Sequence, residues 1–234
     1  MTGVDLGAAA FEELLSRGDR AVLELGDGRF VPMPTAGWHG DPRRADLSLL
    51  DRCRGPVLDV GCGPGRLTAA LIGRGIIALG VDTSAHAVRL TADRGGVALR
   101  RSIFERLPGE HRWGTVLLAD GNIGIGGNPR RLLVRCRDLL TDDSRVLAEL
   151  VAEPSYDGPV RLHHGGRRSQ WFPWSRVTAA GIDPVAAAAG LAVVERWSTG
   201  ERMFVALTRN PGRGRACRTN DGYPAPLNPE RRRS

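Results

Sequence analysis

The chain contains no lysine; all 33 of its basic residues are arginines. So uniform a preference is what GC-rich coding produces, and it says nothing about a ligand. Aromatic residues are scarce, at 5% of 234 positions, which leaves the core to Leu, Val, Ile and Ala. No segment approaches the ~20 apolar residues of a membrane-spanning helix. The first residues, MTGVDLGAAAFEELL, carry no positive leader and soon turn acidic. They do not read as a secretion signal, so the expected compartment is cytoplasmic. The four cysteines, Cys53, Cys62, Cys136 and Cys217, show no C-x-x-C spacing. Reduced structural thiols are therefore expected, without a disulfide framework or a zinc site. His163 and His164 are adjacent, so their side chains diverge, and no cysteine or carboxylate stands near them at ligand spacing; no metal is expected.

What is present is enough apolar residue, 41%, to bury one substantial core. The formal charge of +7 and the pI near 10.4 invite a nucleic-acid reading. The position of the charge weakens it. Residues 209–234 hold seven arginines against Asp221 and Glu230, hence +5 of the +7. The body is left near neutrality, and this Pro-, Gly- and Arg-rich tail, with no apolar period, is expected to be a disordered basic arm.

From Val57 onward, apolar runs alternate with helical patterns, the signature of a parallel sheet covered on both faces. Strands are expected at Val57–Val60, Ile76–Val81, Val97–Arg101, Thr115–Ala119 and Arg145–Val151, with Ala192–Trp197 and Met203–Thr208 as an antiparallel hairpin joined by STGE. Helices are expected from Arg66, after the cap Ser84, after Asn128-Pro129 and from Asp183-Pro184. Ahead of this plan, Ala21–Leu25 and Arg29–Met33 flank Gly-Asp-Gly as a small hairpin. "PTAGWHGDP" then leads to a helix that buries Ala45, Leu49, Leu50 and Cys53.

The chemistry is concentrated in "VLDVGCGPGRL". A strand feeding a glycine turn and a helix presents backbone N–H groups to an anion, whether a dinucleotide's phosphates or a carboxylate. The dinucleotide fingerprint requires G-x-G-x-x-G. Here Gly61, Gly63 and Gly65 give G-x-G-x-G, with Arg66 where the third glycine belongs. Asp59, just before the turn, would repel a pyrophosphate. A zwitterionic amino-acid ligand suits both features, its ammonium facing the carboxylate. Asp82, about 20 positions on at the tip of the second strand, is placed to accept from both hydroxyls of a ribose.

"LDVGCGPGRLT" followed by "LGVDTS" resembles the first two motifs of class I S-adenosylmethionine-dependent methyltransferases, and the likeness in element order runs from Pro56 to Thr208. The resemblance implies an α/β Rossmann-like, doubly wound fold. Its seven-stranded, mostly parallel sheet would have an antiparallel C-terminal hairpin (residues 56–208), an N-terminal hairpin/helix lid (1–55) and the basic tail (209–234). It implies S-adenosyl-L-methionine as cofactor, with S-adenosyl-L-homocysteine as product. Carried over by position, Asp59, Gly61, Cys62, Gly63 and Gly65 would surround the methionine part, Asp82 the ribose, Thr83 the adenine edge and Ser102, Ile103 and Phe104 the adenine. Many relatives have Asp where Ser102 stands, so one contact to the adenine amino group is missing. Asp120, closing the fourth strand, lies where relatives contact the ammonium or the acceptor.

Acceptor-side residues must come from loops at the carboxyl ends of strands. "DGNIGIGG" offers Asn122 but lacks the prolines and aromatic ring of the motif that DNA amino-methyltransferases carry there. "RLHHGGRRSQWFPWSR", Arg161 to Arg176, is read as a loop; with Trp38-His39 it could form an aromatic lid. Trp38, Trp171 and Trp174 are the candidate acceptor contacts, and His39, His163 and His164 the candidate general bases, although methyl transfer needs a base only where the acceptor must lose a proton. The leading expectation is transfer to a small-molecule acceptor, such as a secondary metabolite, by a monomer or homodimer. An RNA or DNA methyltransferase and a non-catalytic donor-binding module are the alternatives.

Overall fold

The computed structural model describes residues 10–12, 14–15, 20–33 and 35–210. In chain order the strands are β1 (Ala21–Leu25), β2 (Phe30–Met33), β3 (Val57–Val60), β4 (Ala78–Asp82), β5 (Ala98–Arg100), β6 (Trp113–Leu118), β7 (Leu140–Leu150), β8 (Tyr156–His164), β9 (Arg167–Arg168), β10 (Phe172–Arg176), β11 (Leu191–Thr199) and β12 (Arg202–Arg209). The helices are α1 (Arg44–Leu50), α2 (Arg66–Gly73), α3 (Ala85–Asp93), α4 (Pro129–Leu139) and α5 (Ile182–Ala188). Residues 10–12 and 14–15 are also helical. No described helix is long and apolar enough to cross a membrane.

A seven-stranded sheet runs β5-β4-β3-β6-β7-β12-β11. Its strands are parallel from β5 to β7, and β12 and β11 are antiparallel. Alternate residues of the central strand serve opposite faces. Leu58 and Val60 join Leu132, Leu133 and Cys136 of α4 and Ile182 and Ala186 of α5, whereas Val57 packs with Leu49 and Leu50 of α1 and Leu67 and Leu71 of α2. Each leucine so buried stabilises the fold by roughly 1.5–3 kcal/mol. Both expected caps form: the Ser84 hydroxyl accepts from Ala87 N and the Asn128 carbonyl from Arg131 N. The order reverses between β3, which leads to β4, and β6, which leads to β7. Ligands of open α/β sheets bind at the carboxyl ends of strands at such a point.

The segment read as a loop, Arg161 to Arg176, is instead most of three strands. β8 pairs with β1, β9 and β10, and β1 pairs with β2, giving a second, wholly antiparallel sheet. Glycines and prolines on both sides masked the alternation that makes β8 a strand: Val160, Leu162 and His164 are buried, and Arg161 and His163 face outward. The N-terminal hairpin and residues 156–176 thus form one body over the larger sheet. Arg209, placed in the expected tail, instead closes β12 and donates to the carbonyls of Arg137 and Leu140, and Asn210 N donates to Gly190 O. Residues 211–234, including Cys217, lie outside the described residues.

The two sheets touch where the turn after β6 meets β10. Ile125 bridges Trp174, and a Cβ on Gly124 would sit 2.0 Å from the Ser175 carbonyl oxygen and 2.6 Å from Trp174 Nε1. Backbone cannot yield as a side chain tip can. Gly124→Ala is therefore expected to destabilise by about 1–3 kcal/mol through overpacking, read by urea unfolding, and to shift tryptophan emission as Trp174 moves.

Candidate functional site

The turn after β3 is built for close approach. Gly61, Gly63 and Gly65 have φ of 68°, 53° and 78°, a region that favours glycine. A Cβ on Gly65 would lie 2.7 Å from Thr91 Cα, so this glycine lets α3 pack against the start of α2; at Gly63 a Cβ would meet nothing within 4 Å. The sequence suggests that the turn's N–H groups await a ligand, but four of them are engaged within the protein. Gly61 and Cys62 donate to Val81 O, Gly63 to Asp82 Oδ2 and Gly65 to Cys62 O. The turn contributes shape rather than free donors. It is braced from below by Asn122, whose Nδ2 donates to the carbonyls of Val60 (2.8 Å) and Gly61 (2.9 Å). Sequence reasoning placed Asn122 against the acceptor; its side chain anchors the glycine turn, although the residue also lines the cavity.

Asp82 joins the turn to α3, its Oδ2 accepting from Gly63 N at 3.0 Å and its Oδ1 from Ser84 N at 2.9 Å. A carboxylate oxygen has two acceptor sites. Asp59, 2% exposed, accepts from Thr68 Oγ1 at 2.7 Å. Burial pushes its carboxyl up to about 6, against the opposing pull of the Thr68 hydrogen bond and the Arg66 guanidinium.

Arg66 opens α2, where a cation opposes the helix dipole. The compensation is a buried ion cluster that sequence reasoning missed. Arg66 pairs with Asp46 of α1, and its Nη2 lies 2.6 Å from Asp120 Oδ2. Arg202 of β12 pairs with Asp46 at 2.7 Å, Glu149 at 2.6 Å and Asp120 at 3.2 Å. Asp120 has a φ of 52° and donates its N–H to Glu149 Oε2 at 2.7 Å. Burial raises the Asp120 carboxyl; in Asp46 the same burial is outweighed by Arg66, Arg202 and the Arg43 N–H, which hold it below the usual range. The available signal was the anomaly itself, an arginine at the first position of a helix that follows a glycine turn.

These groups border one cavity of about 380 Å³, within the range of small-molecule sites. Its strand-tip half is lined by Asp59, Gly61, Cys62, Gly63, Asp82, Thr83, Ser102, Ile103, Phe104 and Asp120, each named from the sequence. Gly65 lies behind this wall. The other half is lined by Phe11, Met33, Trp38, Phe172 and Trp174 beneath the small sheet; of these, Phe11, Met33 and Phe172 went unnamed.

Besides Gly65, four residues named from the sequence are not brought to the cavity: His39, His163, His164 and Trp171. The reason for two of them is the period of β8, which turns His163 outward to Glu24 Oε2 (2.5 Å) and the edge of Phe30, and buries His164 within the small sheet. Trp171 stacks under the outward Arg161, 4.6 Å from its guanidinium. His39 sits in a connection that Arg94 clasps through the carbonyls of His39 and Gly40. On the outer face, the Arg161 hydrogen bonds hold the Glu24 carboxyl down to about 2.

No family profile and no curated sequence matches the chain. Solved structures do. A SAM-dependent methyltransferase from Bacteroides fragilis in complex with S-adenosyl-L-homocysteine aligns with a TM-score of 0.70 at 21% identity, over 88% of this chain and 94% of that one. The CcbJ methyltransferase from Streptomyces caelestis gives 0.57 at 19% identity, over 74% and 92%. The 1,6-didemethyltoxoflavin-N1-methyltransferase from Burkholderia thailandensis gives 0.55 at 18% identity, over 74% and 78%. With its strand order and antiparallel β12, the chain has the Rossmann-like fold of class I S-adenosylmethionine-dependent methyltransferases.

Proposed function

We propose that this chain is an S-adenosylmethionine-dependent methyltransferase acting on a small molecule. The observation that carries the reading is one cavity that joins a glycine turn and three carboxylates at one end to an aromatic chamber at the other. The residues present fit the cofactor. Open space at Gly63 admits a ligand against the backbone, Asp82 brings to the lining the acidic group that a ribose diol donates to, and Ile103 and Phe104 offer apolar surface to an adenine. Asp59 and Asp120 supply negative charge where an ammonium would lie. The neighbour from Burkholderia thailandensis, whose structure holds 1,6-didemethyltoxoflavin and S-adenosylhomocysteine, supports a small acceptor.

S-adenosylmethionine, when bound, supplies an electrophilic methyl group on a sulfonium. What the protein adds is positioning: an in-line displacement gains most from holding two reactants in register. The small sheet roofs the cavity and keeps water from the reacting atoms. None of the five histidines of the sequence lines the cavity, so the reading assigns no imidazole base.

Calorimetric titration with S-adenosylmethionine, S-adenosylhomocysteine and NAD tests this. The two sulfur ligands are expected to bind in the micromolar range and NAD not at all. Asp82→Ala removes two charge-assisted acceptors, each about 1.5–3 kcal/mol, so affinity should fall roughly 100-fold or more. NAD binding, or unchanged affinity in the variant, would refute the reading; donor binding without turnover on any acceptor would make the chain a binding module.

A further inference from the structure

The aromatic half of the cavity has a composition that the cofactor does not require. Phe11 is its hub, with ring centroids 5.4 Å from Trp174, 5.8 Å from Phe172 and 6.2 Å from Trp38. In a chain with so few aromatic residues, three separate segments (the helical residues 10–12, the approach to α1, and β10) deliver four rings to one wall. One polar atom among them has no partner: Trp38 Nε1 is buried and makes no hydrogen bond. Buried tryptophan N–H groups normally find an acceptor, and an unmet one costs about 1–3 kcal/mol. The wall is thus complementary to flat apolar surface, and the Trp38 N–H is shielded within it.

The charges nearby narrow the ligand further. The described acidic residues that line the cavity, Asp59, Asp82 and Asp120, all stand at strand tips on the cofactor side. The lining guanidinium groups stand on that side as well, Arg66 against Asp120, Arg101 next to Ser102 and Arg131 stacked 4.3 Å over Phe104. The aromatic wall itself contributes no charged residue to the described lining, so a cation would find rings here but no counter-charge.

Building on the methyltransferase reading, we infer that this half is the acceptor pocket and that its substrate class is a planar, uncharged aromatic molecule. Stacking against the rings fixes the plane of the acceptor and so the way it faces the donor half.

Calorimetry on the full chain, with and without saturating S-adenosylhomocysteine, tests the inference with three probes. These are coumarin, its non-planar relative octahydrocoumarin, which keeps the lactone acceptor, and tetramethylammonium. Coumarin is expected to bind at least 10-fold more tightly than either of the others. Trp38→Leu removes one ring from the wall and should weaken coumarin roughly 3- to 10-fold. The wild-type comparison stands even if the variant folds poorly. Equal affinity for coumarin and octahydrocoumarin, tighter binding of tetramethylammonium, or unchanged coumarin binding in a folded Trp38→Leu protein would each overturn the inference. If S-adenosylhomocysteine binds and coumarin does not, the acceptor class alone fails. If coumarin binds and the cofactor does not, the methyltransferase reading fails and the aromatic pocket stands.

Discussion

Replacing Arg66 with methionine is expected to lower the unfolding free energy by about 3–5 kcal/mol at pH 7, the usual penalty for removing one partner of a buried ion pair. The side chain is 5% exposed and neutralises Asp46, itself 1% exposed, and Asp120. Without it, Asp46, Asp120 and Glu149 share Arg202 alone. Methionine fills the volume and gains from losing the cation at a helix N-terminus, but nothing replaces the charge. Because Arg66 also draws down the Asp59 and Asp120 carboxyls, its loss should raise both further, and the variant should recover more stability on acidification than the wild type does. Urea unfolding at pH 7 and pH 5 measures this; a loss below about 1 kcal/mol would mean that the cluster is held together by something other than Arg66.

Asp59→Asn should act in the opposite direction on the protein without ligand. The folded carboxyl stands at about 6 against an ordinary value of 3.8, so the folded state binds the proton more tightly than the unfolded chain. Stability attributable to this group is therefore gained as pH falls through 6 toward 4, and above pH 6 the ionised group is a burden. Two pH units correspond to about 3 kcal/mol. The amide keeps an oxygen to accept from Thr68 and carries no charge, so the variant is expected to be about 2–3 kcal/mol more stable than wild type at pH 8. The gap should close between pH 6 and pH 4. Affinity for S-adenosylmethionine should fall in the same variant, because a carboxylate facing the ligand has been removed. A stability difference that does not change with pH would show that Asp59 is not the titrating group.

The legible part of this chain was its local grammar. The glycine turn, the acid at the tip of β4, the Ser84 and Asn128 caps and the apolar strands each depend on residues within a few positions of one another, and each stands where its pattern put it. β7 shows the limit of that grammar. It begins at Leu140 rather than near Arg145, because the polar Thr141, Asp142 and Asp143 read as a turn yet bulge within the ladder against β6. The small sheet was legible in halves only. β1 carries its own alternation, but its partner β8 stands 137 residues away, as the Glu24–Arg161 pair measures, and no local signal names so distant a neighbour. The ion cluster was hidden for the same reason: Arg202 reaches Asp46 across 156 positions. Residues in the turn announced themselves by conformation, whereas Arg66, Glu149 and Arg202 acquire their roles only when α1, α2, β7, β12 and the end of β6 converge.

The way the roof is assembled also sets an order in time. β1 and β2 leave the ribosome as a two-stranded ribbon, a structure only marginally stable by itself. The strand that completes them follows 137 residues later, which at 5–20 residues per second is roughly 7–27 s of translation. During that interval β3 to β7 emerge, and the parallel core between β5 and β7 can pair without the roof. The aromatic chamber therefore forms well after the glycine turn has been made, with only β11 and β12 of the larger sheet still to follow. For seconds the nascent chain holds the residues of the turn with no roof to face them.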